Sequence, residues 1–452
     1  MSSTFDHLRT LPSIRERCSK VFELAKDDKL DYFTYHAEKE ERAIAFCTKI
    51  IERDFGGNVA QIPPHGRWRH FDAANLPRIT TLLSQFHNEG VQPIEAARRL
   101  VDLFVVSVLL DAGAGPTWQY EERKTGLRIG RSEGLAVASL DMFESGLFSR
   151  DEDEGGDGVR QKCEAKALAR LTPELLSISL QVDPNTNPMH GLEGRAGLLS
   201  RLGDVLQKDV LGYFKGPHAG ISPEAKRPGF LIDYLANHPS TTKSADGRLA
   251  VQVATLWKAL IEGLAPVWPT EGRTVLDGQV LGDVWKCEAL EKAGAKGSDA
   301  LVPFHKLTQW LCYSIMEPME QTLGWTFVGG EHQTGLPEYR NGGLLIDLEV
   351  LEPKPELYAA SAKPSGPPPA GPIPIFQPSH PAVVEWRALT VIMLDRIAAG
   401  IREAMSLNDE QLNLKQVLEA ATWKGGREIA KIKRPETGGG PPINIDSDGT
   451  VF

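Results

Sequence analysis

Residues 100–143, LVDLFVVSVLLDAGAGPTWQYEERKTGLRIGRSEGLAVASLDMF, decide the fold of this chain. From Leu103 to Leu110, Ser107 alone interrupts a run of Leu, Phe and Val, which predicts a helix that is buried on all sides. Asp111 follows at once, and Ala-Gly-Ala-Gly-Pro after it must end the helix. A carboxylate at that point is either hydrogen-bonded to backbone amides or used for chemistry.

The first half of the same helix carries a polar stripe. Glu95, Arg98, Arg99 and Asp102 recur at i, i+3, i+4 and i+7, the spacing of one helical face. We expect this face to meet water.

Aromatic, acidic and basic side chains follow the turn after Asp111. Trp118 and Tyr120 come first, and Arg131 then opens a helix through the sequence GRSEG. Small polar ligands need this mixture of groups. The alternative is that Trp118 and Tyr120 fill the core while the charges face water.

The composition excludes several classes of function. The 452 residues carry a formal charge of −10 with a pI near 5.7, which argues against binding a nucleic-acid polymer. The chain has no run of about 18 apolar residues and no secretory leader, so we expect a cytoplasmic protein that does not enter a membrane. Five scattered cysteines without CxxC predict reduced, buried thiols. No motif predicts a metal or another cofactor.

Two arginine-containing segments are candidates for binding an anion. In HGRWRHFD, residues 65–72, Arg69 could bind phosphate or carboxylate while Trp68 stacks on a planar group. The alternative is a loop that Trp68 pins to the core. In HGLEGRAGLL, residues 190–199, Arg195 near a helix start could hold a phosphate.

Two further acids lie in apolar surroundings. Asp347 follows Leu344-Leu345-Ile346, and Glu385 shares a helical face with apolar residues. A carboxylate on an apolar face needs a partner, which would be Arg387, Arg396 or a substrate hydroxyl.

We predict one continuous, mainly helical unit from residues 1–352 and 379–423. A proline-rich insertion at 353–378 interrupts it, and a flexible tail at 424–452 follows. Alternation around Asp277-Gly278 predicts a short β hairpin within residues 273–290.

Seven segments together resemble a known family: WRHFD, LLDAGAGPTWQY, GRSEGLAVASLDMF, HGLEGRAGLLSRLG, WKCEAL, PFHKLTQWLCYS and LPEYRNGGLLIDLEVL. They are similar to the fungal and bacterial uracil-catabolism family catalogued as a domain of unknown function, over about residues 67–402. The resemblance implies a pathway that degrades uracil through its ribonucleotide and a ribosylurea-type intermediate. The resemblance also implies that a cyclohydrolase-like protein and a phosphoribosyltransferase act in this pathway.

A more distant resemblance bears on mechanism. LLDAGAGPTWQY, PEYRNGGLL and EWRALTVIMLDRI are similar, in that order, to the queuosine-salvage nucleotide N-glycosidases. This implies a mainly α fold with a core like that of the helix-hairpin-helix glycosylases and a small β hairpin or sheet. The residues around each acid depart from those enzymes.

The two resemblances imply an N-glycosidase that hydrolyses the ribosyl C–N bond of a ribosylurea-type nucleoside or nucleotide derivative, with or without a 5′-phosphate. Carboxylates would stabilise the positive charge that develops on the ribose. Asp111 would act near the anomeric carbon or the attacking water, and Asp347 or Glu385 would hold ribose hydroxyls or share the base role. The residues assigned to substrate binding are Trp68, Arg69, Trp118, Tyr120, Arg131, Arg195, Tyr339 and Arg340.

Two alternatives stay open. An amidohydrolase attacking the urea group would need a metal cluster or a cysteine nucleophile, for which Cys287 and Cys312 are available. A non-catalytic partner of a pathway enzyme would use Asp111 and Glu385 in buried ion pairs. The chain would then assemble with that enzyme, or with copies of itself.

Overall fold

The computed structural model describes residues 3–111, 113–115, 117–150, 158–217, 225–361 and 373–446. The mainly α prediction is confirmed, because helices dominate these ranges and the strands form only small sheets. The helices are α1 (Thr4–Leu8), α2 (Leu11–Lys26), α3 (Glu40–Phe55), α4 (Trp68–Phe71), α5 (Arg78–Asn88), α6 (Pro93–Leu110), α7 (Arg131–Ser145), α8 (Ala165–Ala169), α9 (Pro173–Ser179), α10 (Leu192–Lys208), α11 (Leu231–Asn237), α12 (Val253–Gly263), α13 (Glu288–Lys292), α14 (Lys306–Leu323), α15 (Tyr339–Asp347), α16 (Pro355–Ala360), α17 (Pro381–Ala404), α18 (Leu414–Val417) and α19 (Trp423–Lys433).

Helix α6 is the centre of the fold. Pro93 stands in its first turn, where a missing backbone N–H costs nothing, and every residue from Arg99 to Leu110 is buried. Helix α14 crosses it, and α7 and α10 pack beside it. The buried run therefore forms a helix enclosed by other helices, as the sequence predicts.

The strands serve as local links between helices. The largest sheet has three strands in the order β10-β5-β4, and the predicted hairpin is confirmed by antiparallel β6 and β7 around Asp277-Gly278. Both turn residues have positive φ, at 50° and 75°, as a tight two-residue hairpin turn requires. The strands are β1 (Phe33–Tyr35), β2 (Gln119–Glu121), β3 (Arg128–Gly130), β4 (Thr242–Lys243), β5 (Leu249–Gln252), β6 (Val275–Leu276), β7 (Gln279–Val280), β8 (Val284–Lys286), β9 (Leu301–Pro303), β10 (Thr326–Val328), β11 (Leu351–Pro353), β12 (Ile375–Phe376) and β13 (Asn444–Ile445).

The polar stripe of α6 does not face water as expected. Asp102 is fully buried and accepts from Arg227 Nε at 2.8 Å, from Gly229 N at 2.6 Å and from Cys163 N at 3.2 Å. The stripe instead fastens the segment around residues 227–230 to α6, because a charge on that segment needs an opposite charge once both are buried.

The predicted end of the helical unit is also revised. Residues 424–433, assigned to a flexible tail, belong to α19, which packs against α15. Within the predicted insertion, α16 and β12 are ordered elements, while residues 362–372 lie outside the described ranges, as do 447–452. Among the described helices, each is too short or too polar to cross a membrane.

Candidate functional site

A cleft of about 820 Å³ opens where helices from distant parts of the chain meet. One wall is the start of α7, another is α4, and the third is α19 with the π-helical turn Leu418–Thr422 that precedes it. Such π turns occur frequently at functional sites. Its lining includes His70, Arg131, Glu133, Glu419, Trp423 and Arg427. We call this the α7 cleft.

Asp111 lies beside the α7 cleft at the end of α6. Its carboxylate binds Arg67 Nη1 at 2.7 Å and accepts from the hydroxyl of Ser132, the residue between two that line the cleft. Burial alone would raise the pKa of Asp111, but Arg67, His70 and Ser132 outweigh it and lower that pKa. Asp111 is therefore a carboxylate at neutral pH, with 10% of its side chain exposed.

Arg67 holds the carboxylate of Asp111 in position. It is fully buried, and its Nε donates to Ser107 Oγ on α6 at 2.9 Å. Ser107 also accepts from Ser139 Oγ on α7 at 2.7 Å, so α4, α6 and α7 are tied together under Asp111. Arg67 Nη2 is buried and donates to no described group.

His70 presents a neutral imidazole to the α7 cleft. Burial, and then the charge of Arg67, lowers the pKa of His70 to about 4. Its Nδ1 lies 3.4 Å from Arg67 Nη1, which a neutral ring can accept from. The ring packs against Trp310 and Trp423 at centroid distances of 5.6 and 5.5 Å.

Glu133 supplies a second acid to the α7 cleft. It lies in the first turn of α7, and one carboxylate oxygen is 2.5 Å from Arg427 Nη1. Burial would raise its pKa, but His70 and Arg427 outweigh burial and lower it. Two ionised carboxylates therefore act on this region, and each has a guanidinium partner.

Lys306 and Glu338 complete the charged surroundings of Asp111. Lys306 begins α14 after His305, whose left-handed φ of 46° turns the chain, and its backbone N–H donates to Asp283 Oδ2 at 2.9 Å. Burial lowers the pKa of Lys306, although the negative charges of Glu338 and Asp111 act to raise it. Glu338 caps α15 by accepting from two backbone amides, and burial raises its pKa.

The prediction that three acids meet in one site is not met. Both oxygens of Asp347 bind Arg434, each at 2.6 Å, and those of Glu385 accept from Asp31 N and Tyr32 N at 3.1 Å. The contacts of Asp111, Asp347 and Glu385 share no residue. Asp347 and Glu385 each bind a different segment of the chain. Sequence spacing could not reveal which segment.

The aromatic residues predicted to bind substrate serve the core. Trp68 Nε1 donates to Asp72 at 3.1 Å, Trp118 Nε1 to the Leu180 carbonyl at 2.9 Å, and Tyr120 to Asp141 at 2.8 Å. All three side chains are buried with their polar atoms bonded. Trp118 and Tyr120 pack into the core, where a buried indole or phenol needs a partner for its polar end, although Trp118 also lines the α7 cleft.

The predicted arginines divide into two groups. Arg195 is buried and donates to the carbonyls of Leu110 and His190, so it shapes the turn after α6 and leaves the phosphate role unsupported. Burial lowers the pKa of Arg195 to about 10. Arg69 and Arg131 do line the α7 cleft, where Arg69 pairs with Glu317.

Tyr339 and Arg340 lie close to Asp111 and Arg131. The guanidinium of Arg340 sits over the Tyr339 ring, 5.0 Å from its centroid. Burial raises the pKa of Tyr339, and the charges of Arg340, Glu338, Asp111 and Arg131 all act on it. Their predicted role in binding stays a prediction.

Sequence patterns did not single out most of the groups that surround Asp111. Arg67 and His70 stood inside HGRWRHFD, which suggested an anion-binding segment or a loop, and Ser132 and Glu133 inside GRSEG, which suggested a helix start. Trp423 and Arg427 fell at the border of the assumed tail. A stronger signal was the amphipathic pattern of residues 423–433, which marks a packed helix.

The structure does not favour the groups that an amidohydrolase would use, a cysteine nucleophile or a metal cluster. All five cysteines are free and buried, and burial raises the pKa of Cys287 and Cys312 to about 12. A thiolate nucleophile is therefore disfavoured. Within the part of the chain that the structure describes, no three His, Cys, Asp or Glu are grouped to hold a metal ion.

Comparison with known proteins identifies relatives along the whole chain. Residues 7–452 match the family described as "Protein of unknown function (DUF1688)". The chain is 40% identical to "Uracil catabolism protein 4" of Lachancea kluyveri, over 99% of this chain and 98% of that protein. It is 41% identical to "Protein urg3" of Schizosaccharomyces pombe, over 100% of both chains.

Proposed function

The chain belongs to the DUF1688 family, and on this premise we propose that it acts in uracil catabolism as an N-glycosidase. Its substrate would be a ribosylurea-type intermediate, and the reaction would hydrolyse the bond between ribose C1′ and the urea nitrogen. The proposal draws on the name of the Lachancea relative, the resemblance to nucleotide N-glycosidases and the charges beside the α7 cleft.

One observation carries the proposal. Asp111 is held ionised by Arg67 and by Ser132, which stands between two residues that line a cleft large enough for a nucleoside. As the C1′–N bond breaks, its electron pair moves to the urea nitrogen and positive charge develops on the ribose. A fixed carboxylate stabilises that charge without having to reorganise. Water then adds to C1′, and its proton reaches the departing nitrogen, giving ribose and urea.

The second carboxylate in this proposal is Glu133 rather than Asp347 or Glu385. Glu133 lines the α7 cleft and is ionised, so it can accept a hydrogen bond from a ribose hydroxyl or from the attacking water. The Trp423 ring, which the neutral ring of His70 meets edge to face, can pack against the planar urea group.

The test is to incubate the purified full-length chain with ribosylurea and with its 5′-phosphate. We expect equal amounts of urea and of the free sugar or sugar phosphate. Release of ammonia and carbon dioxide would instead establish the amidohydrolase. Absence of any turnover, together with stable binding to another enzyme of the pathway, would establish the non-catalytic partner.

A further inference from the structure

Arg131, which lines the α7 cleft, and the nearby Arg340 donate to neighbouring carbonyls of the C-terminal segment. Arg131 Nη2 donates to the Gly438 carbonyl at 3.1 Å, and Arg340 Nη1 to the Gly439 carbonyl at 2.6 Å. The two acceptors are consecutive residues, which brings the two guanidinium groups close together. Burial, and then the charge of Arg340, lowers the pKa of Arg131, which reflects this closeness.

Neither guanidinium has a carboxylate partner among the described residues. The other three arginines that line the α7 cleft each have one: Arg69 binds Glu317, Arg128 binds Glu121, and Arg427 binds Glu133. Arg340 is only 8% exposed. Apart from the Tyr339 ring beneath Arg340, neutral carbonyls hold these two cations, and a bound anion would lower the cost of keeping them close together.

The carbonyls belong to a strap, residues 434–446, that is anchored on both sides of these arginines. At one end Arg434 binds both oxygens of Asp347 and donates through Nε to the Gly440 carbonyl at 2.8 Å. At the other end β13 pairs with β12. Gly438 and Gly439 have φ of 63° and 79°, a left-handed backbone that suits glycine and lets both carbonyls face the arginines.

We infer that Arg131 and Arg340 form a subsite for a phosphate group on the substrate, with the Gly438 and Gly439 carbonyls holding the two guanidiniums in position. Two neighbouring guanidiniums match the several acceptor oxygens of a phosphate. This inference rests on the proposed function, since it assigns the 5′-phosphorylated ribosyl compound as the substrate of the same cleft. Arg195, the candidate suggested by sequence, has no part in it.

The experiment compares three ligands, ribose 5-phosphate, ribose and inorganic phosphate, by calorimetric titration of the full-length chain. We expect ribose 5-phosphate to bind at least tenfold more tightly than ribose. Arg131→Gln and Arg340→Gln should each lower the affinity for ribose 5-phosphate at least tenfold and leave the affinity for ribose unchanged. Arg131→Lys and Arg340→Lys, which keep the charge, should restore part of the affinity and control for misfolding.

Arg128→Gln is the matched control, because Arg128 lines the same cleft but is exposed and paired with Glu121. This variant should lose less affinity for ribose 5-phosphate than either subsite variant. An equal loss in Arg128→Gln, or wild-type affinity in Arg131→Gln, would overturn the subsite. Binding of inorganic phosphate alone, with ribose 5-phosphate no tighter than ribose, would also overturn a site for a sugar phosphate.

The subsite and the proposed function fail separately. If ribose 5-phosphate binding depends on both arginines but no urea is released, the subsite stands and the N-glycosidase assignment falls. If urea is released from ribosylurea as fast as from its 5′-phosphate, the assignment stands and the subsite falls.

Discussion

Asp102 and Asp111 are two buried carboxylates on and directly after the same helix, and each binds an arginine. Asp102 is enclosed by Arg227 and two backbone amides, and burial still raises its pKa to about 6. Asp111 has one arginine and one serine, yet its pKa is lowered, because the charge of Arg67 above all, and then Ser132 and Lys306, outweigh burial. Asp102 therefore joins segments, whereas Asp111 keeps its charge beside a cavity.

The largest expected effect is the loss of turnover in the Asp111→Asn variant. The amide keeps the shape and a hydrogen bond but removes the negative charge that opposes the developing cation. We expect kcat/KM for the ribosylurea substrate to fall about 10²–10³-fold. Urea release measured on protein with an unchanged circular dichroism spectrum checks this. Turnover close to that of the wild type would exclude Asp111 from the chemistry.

The matching change at the other acid, Asp102→Ala, should act on stability instead. It removes the buried carboxylate that binds Arg227 Nε and accepts from two backbone amides, and it leaves Arg227 paired with Glu95 alone, which costs about 3–5 kcal/mol of unfolding free energy. Urea denaturation measures this loss, and kcat per folded molecule should equal that of the wild type. A fall in kcat for the folded protein would mean that Asp102 also serves the site.

The raised pKa of Asp102 predicts a pH effect of definite sign. Its folded pKa, about 6, exceeds the ordinary value of 3.8, so the folded protein binds this proton more tightly. Its contribution to stability is present in full below pH 4 and is lost as the pH rises through 6. At about 1.4 kcal/mol per unit, the loss is roughly 3 kcal/mol. Measured from pH 4 to 7, the free energy of unfolding should fall in this way for the wild-type protein but not for the Asp102→Asn variant.

The smallest effect is expected for Tyr120→Phe. This change removes the hydrogen bond to Asp141 and costs about 0.5–1.5 kcal/mol of unfolding free energy. Neither KM nor kcat should move, because the hydroxyl is turned into the core. Steady-state kinetics beside a denaturation curve test both points, and a higher KM would return Tyr120 to the binding surface.

Sequence patterns predicted those features that depend on neighbours along the chain. The apolar run before Asp111 gave the enclosed helix α6, and Asp277-Gly278 gave the hairpin. Burial of the cysteines followed from their spacing. The same reasoning misplaced Asp347 and Glu385, because an acid after or among apolar residues looks alike whether it binds a substrate or a distant part of the protein itself.

The sequence alone determined that α6 is enclosed and that a carboxylate follows its last buried turn, since periodicity and helix-ending residues are local properties. Only the tertiary structure decided that Arg67, Ser132 and His70 surround this carboxylate, and that Arg434 and the backbone at Asp31 take the other two acids. Those partners lie up to 354 positions away along the chain. Their choice depends on which helices pack together, and a buried charge is satisfied by whichever opposite group the packing brings to it.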